Sequence, residues 1–595
     1  MRPDSEMPHR GWGFVVLLVT FCLVQLLQTA RISASTQTRV PAEPNIALFA
    51  KAFGRTVPRA MRDFSMPPGA RAPVQAVSGT LALESPEFNS GFRILRDYYD
   101  REQSVGTALR QLPAVRFRFS QRGSDLLPLT QGVQRSTHPY WELILQPGRV
   151  WIDPNDESWI RASIPFSLQE RAANCTHNGV LSWRMRSNGS TSQAAYQFSS
   201  ETCGYFQFDG WGTAKTQFTA EAVEAGPYWL RLDQHRSKKL PVRALEKLAI
   251  DYPEVDAKHL ASSDGVAKED TTVLGMVVNG VHYRSQCFTR AGPYPYCDAL
   301  PLPSYSVAKS VFAAVATMRM QQAYPELSQQ TISSLVNECK TANWRNVTIE
   351  NVLDMATGSF LSAVSGDDEA SKAHEDFIFA DEHQGKLAFA CNYFKPQTRP
   401  ATRFIYHTSD TYVLGTALQA FLRKQEPNAD LYRSVLAQPL WRELGLSPLL
   451  DDSKRTYDEV SHPLTGYGLT LQSDDIVRIA DWLANNGGHI AGSPRLDEAM
   501  LSAALQRDPT NVGLNAGSQG LRYNNGFWAF DAADSLRCPT PLWVPFMSGV
   551  SGITVAMFPN GVIYYYFSDG YVFSWQSARE AAHQIAALCD STPAL

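Results

Sequence analysis

Ser306 and Lys309 stand three positions apart in the stretch Pro301-Leu-Pro-Ser-Tyr-Ser306-Val-Ala-Lys309-Ser310. On a helix, positions i and i+3 share a face, so the lysine amine can reach the serine hydroxyl. That hydroxyl is a weak nucleophile until a base takes its proton. A free lysine, with a pKa of ~10.4, is protonated at neutral pH and cannot be that base. Apolar surroundings favour the neutral amine, and Val307, Ala308, Val311 and Phe312 supply them. A helix starting at Ser306 would also offer backbone N–H groups to an oxyanion. The competing reading is a solvated charge on an amphipathic helix, and the four-residue pattern alone does not separate the two.

Rival chemistries lack their motifs. The sequence has no H-E-x-x-H zinc pattern and no Gly-rich phosphate loop ending in Lys-Ser/Thr. The nearest approach to G-x-S-x-G is Ala516-Gly-Ser518-Gln-Gly520, which fails at its first position. Serine chemistry of this kind needs no metal or organic cofactor.

The elements around the pair divide into two styles. From about 110 to 235 the apolar period is mostly two, as in Val115-Arg-Phe-Arg-Phe119. Trp141-Glu-Leu-Ile-Leu145, Pro147-Gly148 and Val150-Trp-Ile152 predict a hairpin, and Tyr228-Trp-Leu-Arg-Leu232 predicts a further strand. This is a β-rich domain, sandwich-like, whose aromatic residues serve its core or a sugar-binding face. The style changes near residue 240, and a short helix is expected over 242–250. Asn279-Gly280, between Val273–Val278 and Val281–Arg284, predicts a tight hairpin because both turn positions need positive φ. A long apolar helix follows Ser306, and more helices follow it. Strands return at 553–558 and 562–567 around Pro559-Asn-Gly561, and a last helix ends the chain. Strands, helices, strands, helix predict an α+β domain: one antiparallel sheet flanked by helices, with a helical insertion.

In that order the motifs resemble the class C β-lactamase and penicillin-binding-protein-like serine hydrolases. Besides Ser306-Val-Ala-Lys309, the resemblance rests on four stretches. They are Asn346-Val-Thr-Ile-Glu-Asn-Val-Leu-Asp-Met-Ala-Thr-Gly358, Phe404-Ile-Tyr406-His-Thr408, the segment 466–475, and Gly549-Val-Ser-Gly552 with Phe558-Pro-Asn-Gly561. It spans roughly 265–590. It implies Ser306 as nucleophile, Lys309 and Tyr406 as a coupled proton-handling pair, and Thr408 as a hydrogen-bond partner of Lys309 or substrate. It places Val550-Ser551-Gly552 on the family's third motif and implies the Ile553 N–H as an oxyanion donor. The family has a lysine or histidine at the start of that motif, where this chain has Val550. That weakens the case for β-lactams or peptidoglycan and favours esters, short amides or oligomers, as in the family's esterases and 6-aminohexanoate-oligomer hydrolases. A non-catalytic binding protein of the same fold is the rival class.

Length and composition fit this. The chain has 595 residues, enough for two or three domains, with 44% hydrophobic and 19% charged residues, as in globular proteins. A net charge of −4 gives no field for nucleic acid. Basic residues before the apolar run 13–27 predict a signal peptide or an uncleaved membrane anchor over 1–35. A linker over 36–70, the β-rich domain over 71–240 and the hydrolase domain over 241–595 follow. Beyond Cys22 in the leader, eight cysteines suggest disulfides in an exported, periplasmic or extracellular chain. Pairing sequence neighbours gives Cys175–Cys203, Cys287–Cys297, Cys339–Cys391 and Cys538–Cys589. The expected partner is an ester or amide substrate, with envelope or glycan contact left to the β-rich domain. Asn174, Asn188 and Asn346 head glycosylation sequons.

Overall fold

The computed structural model describes residues 58–589, apart from 155, 156, 365 and 519. The expected leader and the first part of the linker lie outside these residues. The fold is α+β, as expected. Within the described residues no helix is long and apolar enough to cross a membrane.

Alternation shapes the first half. In Val115–Arg122 the apolar side chains are buried and Arg116, Arg118 and Arg122 exposed. Eight strands follow one another round a ring: Gly79–Glu84, Val115–Arg122, Asp125–Pro128, Gly148–Ile152, Ile160–Glu170, Thr176–Met185, Ala194–Thr202 and Phe206–Ala220. Each pairs antiparallel with the next, and the last returns to the first. The domain is therefore a closed meander barrel in place of a two-layer sandwich, and closure removes most free edges. Phe117, Phe119 and Trp183 pack with ring centroids 6.0–6.2 Å apart. Trp141 and Trp151 are also fully buried, so these three indoles are core residues and form no surface platform for sugar.

Three local expectations change. Trp141–Leu145 and Gly148–Ile152 are strands but not a hairpin; both run along one edge of Ile160–Glu170. The predicted strand at 228–232 is part of the helix Gly226–Ser237. Pro227 opens it, and Trp229, Leu232 and His235 recur every third residue on its buried side. Residues 58–70 are not a free spacer, because Met61 and Phe64 are fully buried and Met61 N–H donates to Ala291 O at 2.9 Å.

The second half centres on a nine-stranded sheet, antiparallel except for the pairing of Val242–Ala244 with Val281–Arg284. The expected 242–250 helix is thus a short strand followed by one turn of 3-10 helix and one of α-helix. The Asn279-Gly280 hairpin forms as predicted, with φ of 49° and 74° at its two turn residues. Helices inserted after Val281–Arg284 fill the space before the sheet resumes at Leu514–Asn515. Alternation on Ile563–Ser568 sends Tyr564 and Tyr566 into one apolar cluster with the last helix, Gln576–Ile585. Ile563, Tyr565 and Phe567 go to the other, with Ile476 and Ile479 of the helix Ser473–Ala484. The sheet thus carries helices on both faces.

All four expected disulfides are present. They fit an oxidising, exported environment. The two halves share one apolar cluster, in which Trp183 and Phe198 of the barrel join Phe312 and Val555 of the sheet domain. Buried polar links cross the seam. Lys454 Nζ donates to Glu142 Oε2 at 2.7 Å, and Arg290 grips Glu201 at 2.6 and 2.8 Å and Asp209 at 2.8 Å. The change of style near 240 is therefore not a break in packing.

Candidate active site

Ser306 lies in the turn that opens a helix. Lys309 N–H donates to Ser306 O at 2.9 Å, and a π-helical turn, Lys309–Ala314, leads into Val315–Ala323. Wide turns of this kind occur often at functional sites. The i, i+3 spacing does what the sequence predicts: Lys309 Nζ donates to Ser306 Oγ at 3.0 Å. The amine also donates to Thr408 Oγ1 at 2.9 Å and to Gly466 O at 3.4 Å. Gly466 permits this approach, since a Cβ there would stand 3.6 Å from the amine and 3.3 Å from Thr408.

Lys309 is only 3% exposed. Burial pulls its pKa down to about 8, against an opposing pull from Glu369. A useful fraction of neutral amine therefore exists near neutral pH.

Tyr406 sits in the loop before the helix Thr408–Gln425, with Lys309 Nζ 4.8 Å from its ring centroid. Burial drives the phenol well above its usual value, and Tyr523 and Glu369 add to this; a hydrogen bond with Ser306 opposes them. The phenol is thus protonated at rest, and the amine is the group equipped to accept the serine proton. Trp528 stacks on Tyr406 at 5.7 Å, and Phe404 and Tyr523 complete an aromatic wall.

Sequence reasoning missed Glu369. Its carboxylate accepts from Thr408 N–H at 2.6 Å and from Thr408 Oγ1 at 2.7 Å, and His374 Nδ1 lies 3.2 Å away. It closes the N-terminus of an 18-residue helix, where orphan N–H groups favour an anion. It also completes a chain from amine to hydroxyl to carboxylate. Next to it, Asp368 Oδ2 lies 2.9 Å from His407 Nε2, and Asp410 Oδ2 lies 3.4 Å from His407 Nδ1. Burial would lower the His407 pKa, but Asp410 and Asp368 outweigh it and hold it at about 9. His407 is a fully buried cation stacked on Phe394, with centroids 3.9 Å apart. It ties the 366–371 loop to the tyrosine's backbone.

The oxyanion side departs from expectation. Ser551 turns its hydroxyl to Gly204 N–H at 2.7 Å. Gly552 packs against Ser568 and Val572. Ile553 is a fully buried strand residue paired with Gly549. It is Gly549 that packs on the turn leading to Ser306: a Cβ there would lie 3.0 Å from Ser304 O and 3.2 Å from Tyr305 Cβ. Gly549 and Gly552 both fit a motif glycine, and the first of them ends the strand Trp543–Gly549. The backbone N–H next after it is that of Val550. In either register residues 543–553 contain no lysine, arginine or histidine.

No protein-family model and no curated protein matches the chain. Among solved structures it is similar to a Bacillus anthracis chain described as a 6-aminohexanoate-dimer hydrolase. That match has 15% identity and a TM-score of 0.41, and covers 61% of this chain and 94% of that one. A class C β-lactamase matches at 15% identity and TM-score 0.40, covering 57% and 96%. A penicillin-binding-protein homologue from Caulobacter crescentus matches at 16% and 0.40, covering 59% and 99%.

Proposed function

We propose that this chain is an exported serine hydrolase of the β-lactamase-related kind, cleaving an ester or amide through an acyl-enzyme on Ser306. The observation that carries the reading is the 3.0 Å contact between Ser306 Oγ and a buried amine of lowered basicity. Neutral Lys309 takes the hydroxyl proton as Oγ attacks the carbonyl carbon. The N–H groups of Ser306 and Val550 hold the oxyanion. The Tyr406 phenol gives its proton to the leaving group and regains one from the Lys309 ammonium. Water then attacks the acyl carbon along the same path in reverse and frees Ser306. Thr408, Glu369 and Gly466 hold the amine in place throughout.

The substrate class follows from charge. The third-motif strand offers no cation to a substrate carboxylate, and the charged group beside the amine is the Glu369 carboxylate. Neutral or cationic acyl groups fit this site better than anionic ones. A periplasmic or extracellular location fits the disulfides.

The test is labelling with a fluorophosphonate probe. The parent chain takes one label per molecule, and Ser306→Ala takes none. A folded parent that stays unlabelled would establish the non-catalytic reading instead. Neutral p-nitrophenyl esters should turn over faster than a chromogenic cephalosporin, which carries a carboxylate; the reverse order would overturn the charge argument.

A further inference from the structure

Two loops at one end of the barrel reach the active site. Asn174, in the loop after Ile160–Glu170, is buried, and its Oδ1 accepts from Tyr305 N–H at 2.7 Å and from Ser304 Oγ at 3.3 Å. Its Nδ2 donates to Leu469 O at 3.3 Å, and Leu469 N–H returns to Ser304 Oγ at 3.1 Å. The residue directly before the nucleophile is thus held by a side chain from the other domain. Tyr305 needs holding, because its φ of 40° is costly for a bulky residue.

The second loop follows Ala194–Thr202. Its Gly204 N–H donates to Ser551 Oγ, which fixes the turn after Val550. The same loop encloses the Tyr305 side chain, whose hydroxyl meets Thr202 O at 3.5 Å. At Gly204 a Cβ would lie 2.5 Å from the Tyr571 ring, so a larger residue there requires that side chain to shift. The Cys175–Cys203 disulfide, fully buried, joins the residue after Asn174 to the residue before Gly204. One covalent link therefore sets the spacing of the two anchors.

We propose that the barrel carries positioning residues of the active site: Asn174 and Gly204, locked together by the Cys175–Cys203 disulfide, set the two turns that present Ser306 and the Val550 N–H. This rests on the reading of Ser306 as nucleophile. It gives the barrel a role in the chemistry that needs no ligand of its own. It also means that the Asn174 sequon carries no glycan in the folded chain, since its amide is engaged at the seam.

The experiment measures fluorophosphonate labelling rate, kcat and KM on the full chain. Asn174→Ala should lower kcat and labelling by about tenfold to a hundredfold, with KM moving far less, because displacing a reacting group by an ångström or less has effects of that size. Asn174→Asp keeps the acceptor oxygen for Tyr305 N–H but loses the donor to Leu469 O, and its rate should fall between those of Asn174→Ala and the parent. The paired change Cys175→Ala/Cys203→Ala should resemble Asn174→Ala. Tyr305→Phe, which keeps the ring and loses only the hydroxyl anchor, gives a milder fall in kcat and guards against variants that do not fold. A folded Asn174→Ala or Cys175→Ala/Cys203→Ala chain that matches the parent within about twofold, against an expected fall of tenfold or more, would overturn the proposal while leaving Ser306 as nucleophile. An unlabelled parent would overturn the reading of Ser306 itself, and this proposal with it.

Discussion

Lys309→Met should lower kcat/KM for a neutral ester by roughly 10²–10⁴-fold, the usual contribution of a positioned general base. Methionine keeps the apolar body and removes the amine. Thr408 still has Glu369 as a partner, so no buried charge is left bare and the fold should hold. The pH profile is the sharper readout. Only the neutral amine can accept the serine proton, so the parent kcat/KM should rise with pH through about 8 and flatten above it. In Lys309→Met that limb should vanish. Glu369→Gln tests the same group from outside. The Glu369 charge favours the ammonium form, so its removal should shift the limb to lower pH. The lost negative charge at the helix N-terminus should cost about 0.3–1 kcal/mol of stability. A Lys309→Met enzyme with parental rate and an unchanged limb would exclude the lysine as the base.

The proposed catalytic pair was legible because its spacing is local. Ser306 and Lys309 share a helical face whatever surrounds them, and the apolar neighbours that lower the amine's basicity lie in the same ten residues. The Asn279-Gly280 turn was legible for a similar reason, and the disulfides were legible because each joins consecutive cysteines, although these lie 10 to 52 residues apart. What failed depended on distance. Glu369 sits in an acidic loop with no periodicity, and only folding brings it to Thr408. Gly549 and Gly552 are equivalent on paper, and only folding puts the first against Ser304 and Tyr305 and the second against Ser568 and Val572. Tyr228-Trp-Leu-Arg-Leu232 alternates like a strand yet closes as a helix, because its buried positions continue to His235 at helical spacing. Barrel closure was equally hidden: Thr176–Met185 is buried on both faces, a pattern shared by sandwiches and barrels, and only the pairing back onto Gly79–Glu84 separates them.

Arg290→Met should destabilise the protein by about 3–5 kcal/mol at pH 7, the penalty for leaving a buried carboxylate without its partner. Arg290 belongs to the sheet domain, just before the nucleophile segment, and both its carboxylate partners belong to the barrel. The Glu201 and Asp209 side chains are each 1% exposed. Asp209 would keep Arg93 at 2.6 Å, but Glu201 would keep only His177 at 3.8 Å. Burial alone would raise the Glu201 pKa, yet Arg290 and His177 together hold it down at about 2. A depressed carboxyl contributes stability that is present above its unfolded value of ~4.3 and is lost as pH falls through the folded value. The gap between parent and variant should therefore be widest near neutrality and should narrow as the pH drops from about 4 toward about 2. Denaturant titrations at several pH values would check this, and a pH-independent gap would show that lost packing, not charge, causes it. Because the barrel and the sheet domain share one core, the parent should unfold in a single transition seen alike by barrel tryptophans and by loss of the proposed activity toward a neutral ester. In Arg290→Met the seam is weakened where the two anchoring loops cross it. Activity should then fall at lower denaturant than tryptophan fluorescence, which is the order expected if the barrel shapes the active site before either half unfolds.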